Sequence, residues 1–315
     1  MRIIELFAGI GACSTALKKI GIDLEIVDAV EIDKYAIASF NAIHGTSFEV
    51  QDVKEWNKDL KDIDIITHGS PCQDFSVAGK QAGGDLGSGT RSSLMYETIR
   101  IVRQVRPKYV LWENVKNLLS KKHKHNFDAY IEKMNLLGYN SYYQVLNAKD
   151  YGIPQNRERV YTISIRKDID NSFRFPEKEQ IKLGLKDILE NNVDKKYWVE
   201  NSKCIRLKSI VEKNKFEDDK VLNLDLYNQR ISNISQTLTE PHHNTQRLFD
   251  GYRIRKLTPK ECWRLMGFSD EDFEKAKNVP MSNTQLYKQA GNSIVVNVLE
   301  KIFKNLFKKE LDYGK

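Results

Sequence analysis

Several features are missing from this 315-residue sequence, and each absence excludes something. No window approaches about 18 uninterrupted apolar residues, so no membrane-spanning helix is expected. Cysteine is sparse: Cys13, Cys72, Cys204 and Cys262 are far apart and form no C-x-x-C pair. That argues against structural zinc and against a disulfide framework, and suits a reducing cytoplasm. There is no cluster of metal-ligand residues, no internal repeat and no low-complexity tract. Met1-Arg2 runs straight into Ile3-Ile4-Glu5-Leu6-Phe7, which reads as a core strand and not as a signal peptide.

What the sequence does contain is charge. Charged residues make up 30% and hydrophobic residues 40%, as in globular proteins. The net charge of +7 and a pI near 9.0 favour a polyanionic partner. The excess is uneven, because residues 167–253 are close to neutral. Lys116, Lys121, Lys122 and Lys124, with His123 and His125 interleaved, form the densest basic cluster, which reads either as a solvated loop or as a phosphate-contacting surface.

Residues 1–166 alternate strand-like and helix-like stretches. Strands are expected at Ile3–Phe7, Glu25–Glu31, Ile63–Thr67, Tyr109–Glu113, Ser141–Leu146 and Val160–Ile165. Helices are expected at 12–20, Lys34–Ile43, Ser92–Val105 and Phe127–Leu137. Repeated βα units imply an α/β fold with a mostly parallel sheet covered by helices on both faces. After Arg166 the chain becomes rich in Lys, Asp, Asn and Glu with weak periodicity, which reads as a smaller, irregular second domain. Thr258-Pro259-Lys260-Glu261 has the form of a helix start. The last helix is expected at Ser293–Phe307, with Asn292-Ser293 opening it.

Two loops carry the chemistry. Phe7-Ala8-Gly9-Ile10-Gly11 follows the first strand and opens a helix, as a nucleotide-approaching turn does. The dinucleotide fingerprint fails, because Ser14 stands where Gly or Ala is required. Glu31 ends the second strand, where a carboxylate can accept ribose hydroxyls. Asp52, read as following a third strand, could accept from an adenine amine, and Phe7 could stack on the ring. The second loop is Gly69-Ser70-Pro71-Cys72-Gln73-Asp74-Phe75-Ser76, after the apolar run at 63–66. A cysteine on a loop at a strand end is placed like a nucleophile.

Taken together, the blocks resemble those of the bacterial C5-cytosine DNA methyltransferases. They are Phe7–Gly11, Glu31–Asp33, Asp52, Gly69–Ser76, Glu113-Asn114-Val115, Gln155-Asn156-Arg157-Glu158-Arg159, Arg255–Phe268 and Gln289-Ala290-Gly291-Asn292-Ser293, in the family's order. Ala12 stands where many relatives have a second glycine, and Glu5 where many have Asp. The resemblance implies a Rossmann-like methyltransferase sheet in residues 1–166 plus 283–315, with a target-recognition domain at 167–282. It implies methyl transfer from S-adenosylmethionine to C5 of a flipped-out cytosine, with Cys72 as covalent nucleophile. Glu113 would bind N3 and the exocyclic amine, and Arg157 and Arg159 would bind O2 and the flanking phosphate. Strand periodicity would set that arginine pair on one face.

The donor would be held by Phe7, Gly9, Gly11, Glu31, Ile32, Asp52, Val53, Pro71, Leu94, Asn292 and Ser293, with no metal. The glycine-rich segment 74–91 would close over DNA, bringing Ser76, Lys80, Gln81 and Arg91 to it. Gln229, Arg230, Gln236 and Thr237 carry the donors and acceptors that base edges require. The implied partner is double-stranded DNA, bound by a cytoplasmic monomer with no membrane attachment. The implied setting is restriction–modification or phage self-protection. Alternatives are a transfer-RNA cytosine-5 methyltransferase on the same scaffold and a catalytically silent nucleic-acid-binding relative. A nucleotide-dependent oxidoreductase is disfavoured by Ser14 and Cys72.

Overall fold

The computed structural model describes the chain except residues 72–82, 85–89, 171, 180–182, 200–208, 211–220, 227, 240–245, 250–252, 309–310 and 312–315, and except the side chain of Arg91. The chain divides into two compact units. The first comprises Met1–Leu146, Glu158–Glu177 and Val298–Lys315, and the second Asn147–Arg157 and Lys178–Asn297. These boundaries differ from the break at Arg166. The stretch after Arg166 stays with the first unit because the Asp170 carboxylate accepts from Asn140 Nδ2 (2.6 Å) and the Tyr142 hydroxyl (2.7 Å), and Phe173 packs on Tyr142. Residues 283–297 fall in the second unit, where the Trp263 indole donates to the Leu286 carbonyl.

In the first unit, β1 (Arg2–Leu6), α1 (Ala12–Lys19), β2 (Glu25–Val30), α2 (Lys34–His44), β3 (Ile65–His68), α3 (Met95–Val105), β4 (Tyr109–Val115), α4 (Lys124–Leu136) and β5 (Tyr139–Asn147) follow in order. The two-residue β6 (Gln155–Asn156) belongs to the second unit, and β7 (Glu158–Arg166) returns to the first. The sheet order is β2-β1-β3-β4-β7-β5. β1, β2, β3 and β4 run parallel, and β7 is antiparallel to β4. This is the mostly parallel α/β sheet expected from the alternating pattern. Its core joins Ile4, Leu6, Val30, Ile66, Val110 and Trp112 from the strands to Met95, Val102, Phe127 and Tyr130 from the helices.

Local chemistry sets the helix ends. Asp33 caps α2, accepting from Tyr35 N at 2.9 Å, and Gly45 at φ 69 closes it. The helix expected from Ser92 begins as a 3-10 turn at Arg91–Leu94 and becomes α-helical only at Met95. Arg106 at φ 55 ends it just before Pro107.

The second unit is more regular than its composition suggested. A four-stranded sheet β12-β11-β8-β9 is formed by β8 (Leu222–Asp225), β9 (Arg230–Ser232), β11 (Gln246–Phe249) and β12 (Ile254–Arg255). Leu222, Leu224, Phe249 and Ile254 form its core. β10 (Ser235–Gln236) pairs in parallel with β6. Helix α5 (Pro259–Leu265) has the expected start: Thr258 and Glu261 form a capping box. Glu261 also takes a two-pronged ion pair from Arg255, both bonds 2.7 Å. Helices α6 (Asp270–Lys277) and α7 (Asn283–Asn292) follow, and α8 (Val296–Leu306) crosses back into the first unit.

Candidate active site

The loop after β1 needs a backbone that most residues avoid. Phe7, Gly9 and Gly11 have φ of 53°, 56° and 80°. At Gly11 a Cβ would lie 2.1 Å from His44 Nε2 and 2.9 Å from Phe40 Cδ2, so α2 packs against bare backbone. At Gly9 a Cβ would meet nothing within 4 Å, leaving open space on that side of the turn. Glu31, just past β2, ties the loop down. Its Oε2 accepts from Gly9 N at 2.9 Å and its Oε1 from Asp33 N at 2.8 Å. Burial pushes the Glu31 carboxyl above its ordinary value, with backbone bonds from Asp33, Gly9 and Ile32 opposing. Four lone pairs on the two oxygens leave room for a hydroxyl donor beside these backbone bonds. The neighbouring Ile32 is 67% exposed, an apolar side chain in water beside that carboxylate.

Residues 51–53 come to the same place, because Gln51 N donates to the Glu31 carbonyl at 2.9 Å. The expectation that Asp52 follows a strand is corrected: the stretch before it is irregular, and the third strand of the chain is Ile65–His68. Side chains replace a ladder here. Buried Asp28 accepts from the Trp56 indole (2.7 Å), Gln51 Nε2 (2.9 Å) and Lys58 Nζ (2.8 Å). From α3, Arg100 donates to the carbonyls of Trp56 and Val53 at 2.9 and 3.0 Å. Asp52 accepts from Lys54 N, and the Val53 side chain is buried. Pro71 accepts from Ser92 Oγ at 3.0 Å, and Leu94 packs on the core.

Asn292 and Ser293 lie in the second unit. They do not open the last helix. Ser293 N bonds to the Gln289 carbonyl, completing α7, and Val296 N bonds to the Met266 carbonyl before α8 begins. Asn292 is exposed and Ser293 buried.

Glu113 sits near the end of β4 and is 8% exposed. The antiparallel register sets Arg159 opposite Val115, which shares a sheet face with Glu113. Arg159 Nε consequently lies 3.0 Å from Glu113 Oε1. Arg157 precedes β7 and belongs to the second unit, so strand alternation does not govern it. Its guanidinium, 4% exposed, donates to the carbonyls of Leu238 (3.0 Å), Gly291 (3.1 Å) and Ser293 (2.8 Å). Three backbone oxygens from distant segments hold it, an arrangement that neighbouring sequence does not signal.

Cys72, Ser76, Lys80 and Gln81 lie outside the described residues, as does the Arg91 side chain. In the second unit, Gln229 (φ 51°) and Arg230 are exposed at the β8–β9 turn. Asp225 shapes that turn by accepting from Asn228 N (3.1 Å) and Nδ2 (2.7 Å). Gln236 and Thr237 are half-buried. The Gln236 backbone is bonded to Gln246, and the Thr237 hydroxyl donates to the Asn156 carbonyl at 2.8 Å. Among the described residues there is no metal-binding group of three or more His, Cys, Asp or Glu, and no helix long and apolar enough to cross a membrane.

The loop after β1, Glu31, Ser70-Pro71 and Glu113 all lie at or near the carboxyl ends of adjacent parallel strands, where open α/β sheets bind ligands. The sequence carries the same assignment. Residues 1–308 match the family model described as C-5 cytosine-specific DNA methylase. The chain is 37% identical to the type II methyltransferase M2.ScrFI of Lactococcus lactis subsp. cremoris, over 98% of this chain and 100% of that protein. It is 35% identical to the type II methyltransferase M.Bsp6I of Bacillus sp. (strain RFL6), over 99% and 100%. Its fold is similar to the crystal structure of S. pombe Dnmt2 methyltransferase, with a TM-score of 0.72 and 20% identity over 98% of this chain and 99% of that one. The chain belongs to the C-5 cytosine-specific DNA methylases, a family of S-adenosylmethionine-dependent DNA (cytosine-5)-methyltransferases.

Proposed function

We propose that the chain methylates cytosine within a specific sequence of double-stranded DNA, acting as a monomer without a metal, in a restriction–modification or phage self-protection setting. The observation that carries this reading is the convergence of the Gly9–Glu31 loop and the Glu113–Arg159 pair on the carboxyl edge of one sheet. The residues at 7–11, 31–32 and 52–53 fit an adenosine-containing donor. Glu31 can accept a ribose hydroxyl, exposed Ile32 and strained Phe7 offer apolar surface to a ring, and Gly9 leaves space. Bound there, S-adenosylmethionine supplies an electrophilic methyl sulfonium.

The protein's part begins with extrusion of the base from the duplex. The Cys72 thiolate forms a bond to C6 of the ring, whose electrons move toward N3 and O2 and make C5 nucleophilic. Glu113 holds the proton at N3, and Arg159 orients Glu113 and faces O2. After C5 is methylated, loss of its proton to a base and departure of the thiolate restore the aromatic ring. Residues 167–282 select the target, with Gln229 and Arg230 at the exposed turn. The transfer-RNA alternative has less support, since the matching family model is of DNA methylases.

Cys72→Ala tests the reading. It should abolish methylation, followed by bisulfite sequencing, while calorimetry still detects S-adenosylhomocysteine binding. Duplex DNA carrying 5-fluorocytosine should form a denaturation-resistant adduct with the parent enzyme alone. Methylation by the variant, or no adduct with an active parent enzyme, would refute the covalent role.

A further inference from the structure

Glu113's two chain neighbours both reach one residue, Ser70. The Trp112 indole N–H donates to Ser70 Oγ at 3.0 Å, and Asn114 Nδ2 donates to the Ser70 carbonyl at 3.2 Å. Backbone pairing of β3 with β4 stops at His68 opposite Trp112. Ser70 lies two residues beyond that last pair, so these side-chain bonds continue the attachment after the ladder ends. Ser92 then holds the next carbonyl, that of Pro71.

Trp112 is itself fixed. It stacks on His68 with ring centroids 5.6 Å apart and planes 6° from parallel, and packs against Tyr130 at 4.2 Å. His68 Nε2 lies 3.1 Å from the Tyr130 hydroxyl, and burial pushes the imidazole pKa down to about 3, so the ring is neutral. Trp112 and Ser70 are 1% and 2% exposed. Their bond is shielded from water, and removing one partner leaves a buried polar group unsatisfied. A phenylalanine at 112 or an alanine at 70 would fill similar space without making it.

We propose that Trp112 and Ser70 are a positioning pair that sets the approach of Cys72 to the base held by Glu113. This rests on the reading of Cys72 and Glu113 given above. Attack requires a bond from sulfur to C6 while the carboxyl on β4 holds the far side of the ring. The two groups come from different strands, and Ser70 is two residues from Cys72. Misplacement by a fraction of an ångström at this junction slows attack without touching the donor.

The test compares Trp112→Phe, Ser70→Ala and the double variant in single-turnover adduct formation with 5-fluorocytosine duplex. S-adenosylhomocysteine affinity, DNA affinity and thermal midpoint are measured alongside. Each single variant should slow adduct formation about tenfold, with donor and DNA affinities unchanged. The double variant should be no slower than the slower single, since either change already removes the bond. Slowing that multiplies in the double variant overturns the pair. So does a lower thermal midpoint with full-rate adduct formation, which marks a purely structural bond. Should Trp112→Phe fail to fold, Ser70→Ala decides, because it deletes a single oxygen and full-rate attack by it refutes the proposal. Cys72→Ala separates the two claims: activity in that variant removes the nucleophile assignment and the pair with it. An inactive Cys72→Ala beside fully active pair variants removes the pair alone.

Discussion

Glu5 makes stability fall as pH rises, which is the reverse of the usual carboxylate effect. It projects from β1, is 3% exposed, and its Oε1 accepts from Ser14 N at 2.9 Å. Ser14 is in the first turn of α1, where backbone N–H groups have no partner within the helix and the dipole favours an anion. Burial outweighs both and raises the Glu5 pKa from 4.5 to about 7. The folded state therefore holds the proton more tightly than the unfolded chain. The stabilisation is fully present below about pH 4.5 and is lost as pH rises through about 7. At roughly 1.4 kcal/mol per pH unit, that loss totals about 3 kcal/mol. Glu5→Gln keeps an acceptor for Ser14 N–H and cannot ionise. Urea unfolding of both proteins at about pH 4 and about pH 8.5 gives the answer. The variant should match the parent at the lower pH and exceed it by about 3 kcal/mol at the higher. A difference that does not change with pH refutes the argument.

The parts of the site legible in the sequence are those where backbone geometry or charge dictates residue type. A turn with positive φ at 9 and 11 writes itself as glycine, and a strand-end carboxylate that must accept from that turn writes itself as Glu31. Glu113 and Arg159 were legible through the Glu-Asn-Val and Gln-x-Arg-x-Arg blocks, but their ion pair depends on the antiparallel register of β4 and β7, which the sequence does not show. The setting of Arg157 was not legible either, because its partners are backbone carbonyls at 238, 291 and 293, and a carbonyl has no sequence signature. Residues 47–52 have strand-like composition but form no strand, although Gln51 N reaches the Glu31 carbonyl just past β2. Asp28 and Arg100 fix the segment that follows from opposite elements, and neither is near it in sequence. The strands of the second unit are two to four residues long and carry buried polar groups such as Asn223 and Gln246, so no clean alternation marks them. Trp112 falls within the strand expected at Tyr109–Glu113 and is buried in the core. Its bond to Ser70 emerges only once β3 and β4 are paired.

Two further perturbations separate local geometry from chemistry. Gly11→Ala should abolish measurable S-adenosylhomocysteine binding in calorimetry. The left-handed backbone alone costs roughly 1–2 kcal/mol, and the added carbon would overlap His44 Nε2. His44→Ala in the same chain should restore part of the affinity, and full restoration would show that backbone strain contributes nothing. Arg157→Met decides between two roles for a buried cation. Methionine keeps much of the aliphatic bulk but leaves the Leu238, Gly291 and Ser293 carbonyls without their donor. Charged donors contribute roughly 1.5–3 kcal/mol each, so unfolding should become easier by at least about 3 kcal/mol. Lysine should recover only part, since an ammonium lacks the planar fork that serves three oxygens at once. A phosphate-binding Arg157 would behave differently: the methionine variant would keep parent stability, and the slope of log DNA affinity against log salt would become shallower by roughly 0.9. Unchanged urea midpoints with that shallower slope would return Arg157 to the DNA-contacting surface.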